Sequence, residues 1–374
     1  MNVGYNRLRP IVAAFILLLP CLSAAASEDD GPYVMRNATG ALEAWSVHVD
    51  ADAHRKQILP LAPNATITIA SVGTIPSFDV KLRGPAEVDP DEVAITPKAS
   101  YFVVADTHGE FEILAQMLMQ HHVLDRNLHW SFGRGHLVIL GDVFDRGAYQ
   151  TEILWLIYAL EAEARKAGGA VHLVLGNHEV MILRGDLRYL NAKYRATAQA
   201  LGVSSYSELF GADSVLGQWL RSKPAMLKIN RMLFLHGGVS PELIARRFTL
   251  SQVNSTIRAL LLNREFTSRL DLERADFLSG QAGPLWYRGY FAGEGGPAEA
   301  TVEDIQRIQE FFGVSTILVG HTRVPTITPL YAGQVIAVQV YPQRDANGVT
   351  SFEALLVREG QFYRARPDGK IERL

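Results

Sequence analysis

The most informative stretch for the fold is HLVILGDVFDRG, residues 136–147. It begins with an apolar run, His136–Leu140, of the kind that forms a short buried strand. The run stops at Gly141 and Asp142, which places a carboxylate directly at the strand end. Because ligand sites of open α/β sheets collect at the carboxyl ends of strands, the stretch predicts an α/β fold with its chemistry at that edge.

Four other apolar runs stop at a side chain that can bind a metal ion. They are Tyr101–Ala105 before Asp106 and His108, Val171–Leu175 before Asn177, Met232–Leu235 before His236, and Thr316–Val319 before His321. Each side chain alone has an ordinary explanation, because an aspartate or asparagine after a strand is often only a helix cap. A lone histidine is likewise more often a hydrogen-bonded core residue. The repetition at five strand ends instead predicts a single site.

The composition is that of a globular protein. Of its 374 residues, 48% are hydrophobic and 20% are charged, and the formal net charge is −3. A chain of this length can form one large domain, alone or with an accessory piece. The charge balance and the lack of a basic stripe argue against a nucleic-acid partner.

The first 26 residues have the pattern of a cleaved export signal. Two arginines precede an apolar run from Ile11 to Leu19, and we expect cleavage after Ala26. The run is short for a membrane span, although an uncleaved anchor is an alternative. Lipidation of Cys21 is a second alternative, but the proline directly before it fits a lipoprotein site poorly. We therefore expect a periplasmic or secreted protein without stable membrane insertion and without disulfides.

The rest of the chain divides into two parts. Residues 31–98 alternate loosely between apolar and polar positions, with Pro and Gly breaks, and predict a small β-rich accessory segment. Residues 99–374 alternate strands with helical stretches and predict the catalytic domain; the clearest helices are Glu110–Met119 and Thr151–Ala164. Two helical inserts are expected to shape access to the site: 180–228 and 241–282.

The strand-end side chains suit a pair of divalent cations. A donor set of carboxylate, amide and imidazole without thiolate favours manganese, iron or zinc over calcium, and we take manganese as the first choice. Both carboxylate oxygens of Asp142 are available, so this residue can bridge two ions. Two ions about 3.5–4 Å apart promote in-line displacement at phosphorus and lower the pKa of a bound water.

The neighbours of these ligands suit a phosphate ester. Arg146 follows Asp142 by one short turn, and a guanidinium there can bind two phosphoryl oxygens as a fork. The alternative is a structural ion pair. His178 directly follows Asn177 and can act as the general acid for the leaving oxygen, with Asp145 to orient it.

Five segments carry a resemblance to a known family. DTHG (106–109), GDVFDRG (141–147), GNHE (176–179), HGG (236–238) and GHT (320–322) resemble, in order, the signatures of the calcineurin-like metallophosphoesterases. That family implies a four-layer β-sandwich flanked by helices. It also implies one metal on Asp106, His108 and Asp142, a second metal on Asp142, Asn177, His236 and His321, and an acid pair formed by His178 and Asp145.

Further segments narrow the resemblance. Arg323 stands where many phosphodiesterase relatives have a second histidine, which favours the phosphoprotein phosphatase branch. The segments RGDLRY (184–189) and LWYRGY (285–290) resemble those of the bacterial Shewanella-like protein phosphatases. By this resemblance Arg288 is a second phosphate-binding arginine, with cation–π packing as the alternative. We also expect a pocket for a phenyl ring, lined by Trp286, Tyr287 and Tyr290.

Together these observations predict a metal-dependent phosphatase. The expected reaction is hydrolysis of a phosphoprotein or a small phosphomonoester by direct attack of metal-bound hydroxide, with phosphotyrosine among the expected substrates. One alternative is a nucleotide or dinucleoside polyphosphate hydrolase of the same superfamily. The other is an inactive scaffold that only binds metal.

Overall fold

The computed structural model describes residues 29–50, 53–96, 98–293 and 299–374. The strands are β1 (Asp30–Arg36), β2 (Leu42–Asp50), β3 (Ala53–Leu61), β4 (Thr66–Ile69), β5 (Phe78–Lys81), β6 (Glu92–Val93), β7 (Tyr101–Val104), β8 (His136–Ile139), β9 (Ala170–Leu173), β10 (Met226–Ile229), β11 (Met232–Leu235), β12 (Thr316–Val319), β13 (Thr328–Leu330), β14 (Val335–Ala337), β15 (Ala354–Arg358), β16 (Gln361–Ala365) and β17 (Ile371–Arg373). The helices are α1 (Phe111–Gln120), α2 (Gln150–Ala167), α3 (Asn177–Leu183), α4 (Ala192–Leu201), α5 (Val215–Ser222), α6 (Pro241–Ala245), α7 (Leu250–Leu261), α8 (Arg269–Ser279) and α9 (Val302–Phe312), with short 3₁₀ turns at Tyr206–Phe210 and Tyr331–Gly333. The predicted export signal, residues 1–26, lies outside the described residues.

Two six-stranded sheets form the centre of the molecule. Their strand orders are β17-β16-β15-β7-β8-β9 and β13-β14-β12-β11-β10-β6. The neighbours β7, β8 and β9 are parallel in the first sheet, as are β11, β12 and β14 in the second. The sheets face each other across a shared core in which Tyr101 of β7 stacks on Phe234 of β11. This is the mixed α/β fold that the sequence predicts.

Three of the five strands that lead to the site are buried on both faces. Every residue of β7, β8 and β12 is buried, so these strands read as continuous apolar runs without alternation. All five predicted strands are confirmed, and three of them begin or end one or two residues from the predicted bounds. The physical reason is that residues such as Ala105 and Leu140 already leave the regular strand to enter the turn that carries the ligand.

The helices cover the sheets, and α2 is the longest of those described. It packs against β9 and ends at Gly168, whose φ of 81° is a left-handed conformation that glycine adopts without strain. The predicted insert 180–228 contains α4, α5 and the last residues of α3, and its final positions already belong to β10. The insert 241–282 contains α6, α7 and α8.

The N-terminal β-rich segment is attached closely to the rest of the chain. Strands β1, β2 and β3 form an antiparallel sheet that packs on α2, α4 and α5, and β4 with β5 forms a hairpin against α2. Strand β6 pairs in parallel with β10, which makes it an edge strand of a central sheet. The accessory segment therefore supplies part of the central architecture. None of the helices in the described ranges has the length and apolar character needed to cross a membrane.

Candidate active site

The turns after the central strands bring the predicted ligands together. Asp106 and His108 follow β7, Asp142 follows β8, Asn177 begins α3 after β9, and His236 and His321 follow β11 and β12. All of these side chains are buried. Asp106, His108, Asp142 and His321 have φ values of 45°, 41°, 55° and 62°. Non-glycine residues rarely adopt this left-handed conformation, and its repetition is typical of functional sites.

The Asp142 carboxylate lies at the centre of the cluster. Its Oδ2 atom is 3.1 Å from His236 Nε2 and 3.8 Å from His108 Nε2. The same His236 Nε2 atom also lies 2.9 Å from Asn177 Oδ1 and 3.1 Å from His321 Nδ1. Asp142 thus stands between two groups of donors, as a bridging ligand would.

The tautomers of two histidines test whether cations fit this cluster. His236 Nδ1 donates to the Leu140 carbonyl at 2.6 Å, and His108 Nδ1 donates to the Phe144 carbonyl at 2.8 Å. With the proton held on Nδ1, each Nε2 lone pair is directed at carboxylate or amide oxygens. Lone pairs that face one another need a cation or a proton between them. A second ring nitrogen bonded to a carbonyl is also the usual support of a metal-ligating histidine, so the residues fit two divalent ions.

The pKa values reflect the crowding of these groups. Burial and the neighbouring Asp142 raise the pKa of Asp106 to about 7. Burial works against a charged imidazole at His236, but Asp142 and Asp106 outweigh it and raise its pKa to about 9. Burial lowers the pKa of His108 to about 3, so this ring is neutral as a ligand must be. A cation in the site would replace the proton that His236 otherwise holds.

The predicted acid pair is also formed. His178 Nδ1 lies 2.5 Å from Asp145 Oδ2, and the free Nε2 lies 3.8 Å from Asp142 Oδ2. Burial opposes the charge of His178, but Asp142 and the hydrogen bond to Asp145 together raise its pKa. Because Nδ1 is bound to Asp145, Nε2 is the atom that can donate a proton to a leaving group.

Glu179 holds the loop that carries the Asp142 carboxylate. Its two carboxylate oxygens accept the backbone N–H groups of Gly176 at 2.7 Å, Asp142 at 2.8 Å and Val143 at 2.7 Å. Three such bonds to one buried side chain fix the turn after β8 against the turn after β9.

The two predicted phosphate-binding arginines border a common cavity of about 380 Å³. Within the described ranges, no carboxylate lies at ion-pair distance from Arg146, which is exposed. Arg288 donates to the His321 carbonyl at 3.1 Å and to Thr322 Oγ1 at 3.3 Å, and likewise lacks a described carboxylate partner. Both guanidinium groups are therefore positioned for an anion in the cavity.

The expected phenyl pocket is wrong for two of its three residues. Tyr287 and Tyr290 are buried beneath Gly238, and the Tyr290 hydroxyl bonds to the Val239 backbone. Their side chains fill the core because they lie on the inner side of the turn. Trp286 does line the cavity, together with Tyr189 and Tyr341.

Four residues that line the cavity were not assigned a role from the sequence: Tyr189, Arg323, Gln339 and Tyr341. Tyr189 packs on the His178 ring at a centroid distance of 5.3 Å, and Tyr341 lies 5.8 Å from the His108 ring. Arg323 also lines the cavity, with its guanidinium 5.3 Å from the Tyr341 ring. Tyr189 lies within the RGDLRY segment, which was a usable signal, whereas nothing in the sequence marks Tyr341.

Comparisons with known proteins identify the family of the chain. Residues 100–325 match the family model described as calcineurin-like phosphoesterase. The chain is 28% identical over 228 residues to Shewanella-like protein phosphatase 1 of Plasmodium berghei. This match covers 60% of this chain and 61% of the relative. It is 29% identical over 161 residues to the symmetrical bis(5'-nucleosyl)-tetraphosphatase of Vibrio cholerae, covering 42% of this chain and 52% of the relative. The chain thus spans less than two thirds of each of these relatives.

A solved structure gives a longer match. The cold-active protein-tyrosine phosphatase of a psychrophilic Shewanella species is 35% identical, with a TM-score of 0.79. The match covers 92% of this chain and 99% of the Shewanella chain. The resemblance predicted from the five motifs is confirmed by the family match and by this structure. The chain belongs to the calcineurin-like phosphoesterase family.

Proposed function

We propose that this protein is a dinuclear-metal phosphomonoesterase that dephosphorylates proteins, including phosphotyrosine, outside the cytoplasm. The observation that carries the proposal is the position of Asp142. Its carboxylate stands between two sets of metal donors, while the proton donor His178 and the arginines Arg146 and Arg288 border the same cavity. When bound, two divalent ions would supply Lewis acidity to the phosphoryl oxygens and to the attacking water.

Metal binding, phosphate binding and proton donation are assigned to different residues of the site. Asp106, His108 and Asp142 would hold one ion, and Asp142, Asn177, His236 and His321 would hold the other. The guanidinium groups of Arg146 and Arg288 bind the phosphoryl oxygens and orient the phosphorus. His178 Nε2 donates a proton to the leaving oxygen, and Asp145 keeps the ring in the required tautomer.

The aromatic rim supports an aryl phosphate as substrate. Tyr189, Trp286 and Tyr341 surround the cavity that contains the metal donors. A phenyl ring attached to the phosphate can pack against such faces and edges, whereas an alkyl chain gains less. The Shewanella structure bears the name of a protein-tyrosine phosphatase, which agrees with this preference. Export of the mature chain is part of the proposal and rests on the sequence of residues 1–26 alone.

A substrate panel tests the proposed function. Purified protein with manganese should hydrolyse a phosphotyrosine peptide faster than a phosphoserine peptide, and a metal chelator should abolish both activities. Restoring manganese should restore them. Faster hydrolysis of diadenosine tetraphosphate than of either peptide would instead favour the nucleotide hydrolase, to which the Vibrio cholerae relative points.

Replacing Trp286 by leucine tests the aromatic rim. An aromatic contact contributes about 0.5–1.5 kcal/mol beyond area burial, so kcat/KM for p-nitrophenyl phosphate should fall roughly two- to tenfold. The value for a phosphoserine peptide should change less. Trp130→Leu is the matched control, because Trp130 lies outside the residues that line the cavity. Equal losses on both substrates would contradict a role for Trp286 in aryl recognition.

A further inference from the structure

A chain of buried hydrogen bonds connects the N-terminal sheet with the acid pair. The Tyr33 hydroxyl donates to Asp30 Oδ2 at 2.6 Å and lies 3.0 Å from the Tyr206 hydroxyl. Gln150 Nε2 donates to the Tyr206 hydroxyl at 2.8 Å, and Gln150 Oε1 accepts the backbone N–H of Asp145 at 2.7 Å. All five residues are buried, and they come from three separate stretches of the sequence.

The Asp30 carboxylate fixes the direction of every hydrogen in this chain. A carboxylate only accepts, so Tyr33 must donate to it. Having used its single proton, the Tyr33 hydroxyl can only accept from Tyr206. The Tyr206 hydroxyl in turn can only accept from Gln150. The amide of Gln150 must therefore direct its NH₂ group at Tyr206 and its oxygen at the Asp145 N–H.

Further contacts prevent rearrangement of the chain. Thr151 Oγ1 donates to Asp30 Oδ1 at 3.1 Å. Both oxygens of the Asp30 carboxylate therefore accept hydrogen bonds. The backbone N–H of Gln150 donates to the Tyr194 hydroxyl at 2.8 Å. Burial also raises the pKa of Tyr33 and Tyr206 well above the ordinary value, so both hydroxyls keep the protons that the chain requires.

The receiving end of the chain is a strained turn. Asp145 and the following Arg146 have φ values of 69° and 67°. Two consecutive non-glycine residues in the left-handed region persist only where the surroundings hold them. The bond from the Asp145 N–H to Gln150 is part of that support. The same turn sets both the carboxylate that binds His178 and the start of the phosphate-binding Arg146.

We propose that Asp30 and Tyr33 are positioning residues for the proton donor. Acting through Tyr206 and Gln150, they hold the Asp145 backbone and hence the imidazole of His178. The inference rests on the proposed function, because it gives the N-terminal β-rich segment a role in the same reaction. The segment would thus support the active site through buried hydrogen bonds, without contacting substrate.

The test compares Tyr33→Phe and Tyr206→Phe with Tyr158→Phe. Tyr158 is a matched control, because it is also buried and its hydroxyl also accepts a hydrogen bond, from the backbone N–H of Arg83. Displacement of the general acid His178 should slow hydrolysis most for substrates with a poor leaving group. In Tyr33→Phe and Tyr206→Phe, kcat for a phosphoserine peptide should therefore fall about tenfold or more. The fall in kcat for p-nitrophenyl phosphate should be less than about threefold. The control should show no such difference between substrates.

Hydrogen exchange gives a second readout that does not need activity. The peptide segment that includes the Asp145 N–H should exchange faster in Tyr33→Phe and Tyr206→Phe than in Tyr158→Phe. Unchanged exchange in that segment, or equal losses on both substrates in all three variants, would overturn the proposal. If the wild-type protein hydrolyses no phosphomonoester, the proposed function fails. The exchange measurement would still decide whether the chain holds the Asp145 turn.

Discussion

Replacing Asp142 by asparagine should lower kcat/KM by roughly 10³-fold or more on every phosphomonoester. Lewis-acid stabilisation by bound ions contributes several kcal/mol, and each 1.36 kcal/mol corresponds to about a tenfold change in rate. The Asp142 carboxylate lies between both donor groups, and an amide supplies only one good ligand oxygen and no charge. Elemental analysis should show that the variant binds fewer than two manganese ions per chain.

Asp186→Asn provides the matched control for this prediction. Asp186 is an aspartate of the insert 180–228 that is paired with Arg188 and is not part of the donor cluster. It should retain both the metal content and the activity of the wild-type protein. Full metal content together with full activity in the Asp142 variant would show that the bridge does not exist.

Replacing His178 by asparagine should separate substrates by their leaving groups. General-acid catalysis contributes about 10²–10⁴-fold, and a poor leaving group such as a serine alkoxide needs most of it. A nitrophenolate leaves without a proton. We therefore expect a loss of about 10²-fold or more in kcat for a phosphoserine peptide and a much smaller loss for p-nitrophenyl phosphate.

A histidine elsewhere in the core supplies the comparison. His121 is buried, and its Nε2 lies 2.8 Å from the Arg366 carbonyl, far along the chain from the acid pair. His121→Asn should leave the ratio of the two activities unchanged. His178 Nε2 also lies near His108 and Asp142, close enough to be a metal ligand. Loss of metal and equal loss on both substrates in His178→Asn would assign it that role.

The strand ends were predictable because local patterns determine them. Three of the apolar runs mark strands that are buried on both faces, β7, β8 and β12, and parallel strands align their carboxyl ends. The donors Asp106, Asp142 and His321 could thus be placed at one edge from sequence alone. The chemistry of their side chains then indicated divalent metal ions.

Features that depend on the path of the turns were not predictable. Trp286 and Tyr287 are adjacent in sequence, yet the first lines the cavity and the second lies in the core. Only the conformation of the turn decides which side chain is directed at the site. Tyr341 likewise reaches the cavity from a loop that lacks any recognisable motif.

The contribution of the N-terminal segment could not be predicted from the sequence either. Strand β6 pairs with β10, whose residues follow more than a hundred positions later. The Tyr33 hydroxyl meets the Tyr206 hydroxyl across a similar separation. Pairings of this kind leave no periodic signal in either partner, because each tyrosine alone fits an ordinary core position.

Diffraction from crystals of the manganese-loaded protein can establish whether the metal centre is dinuclear. An anomalous difference map should contain two peaks about 3.5–4 Å apart, one on each side of the Asp142 carboxylate. His108 should contact one peak, and His236 with His321 should contact the other. A map without peaks at this cluster, or with a single peak away from Asp142, would contradict the dinuclear centre on which the proposed reaction depends.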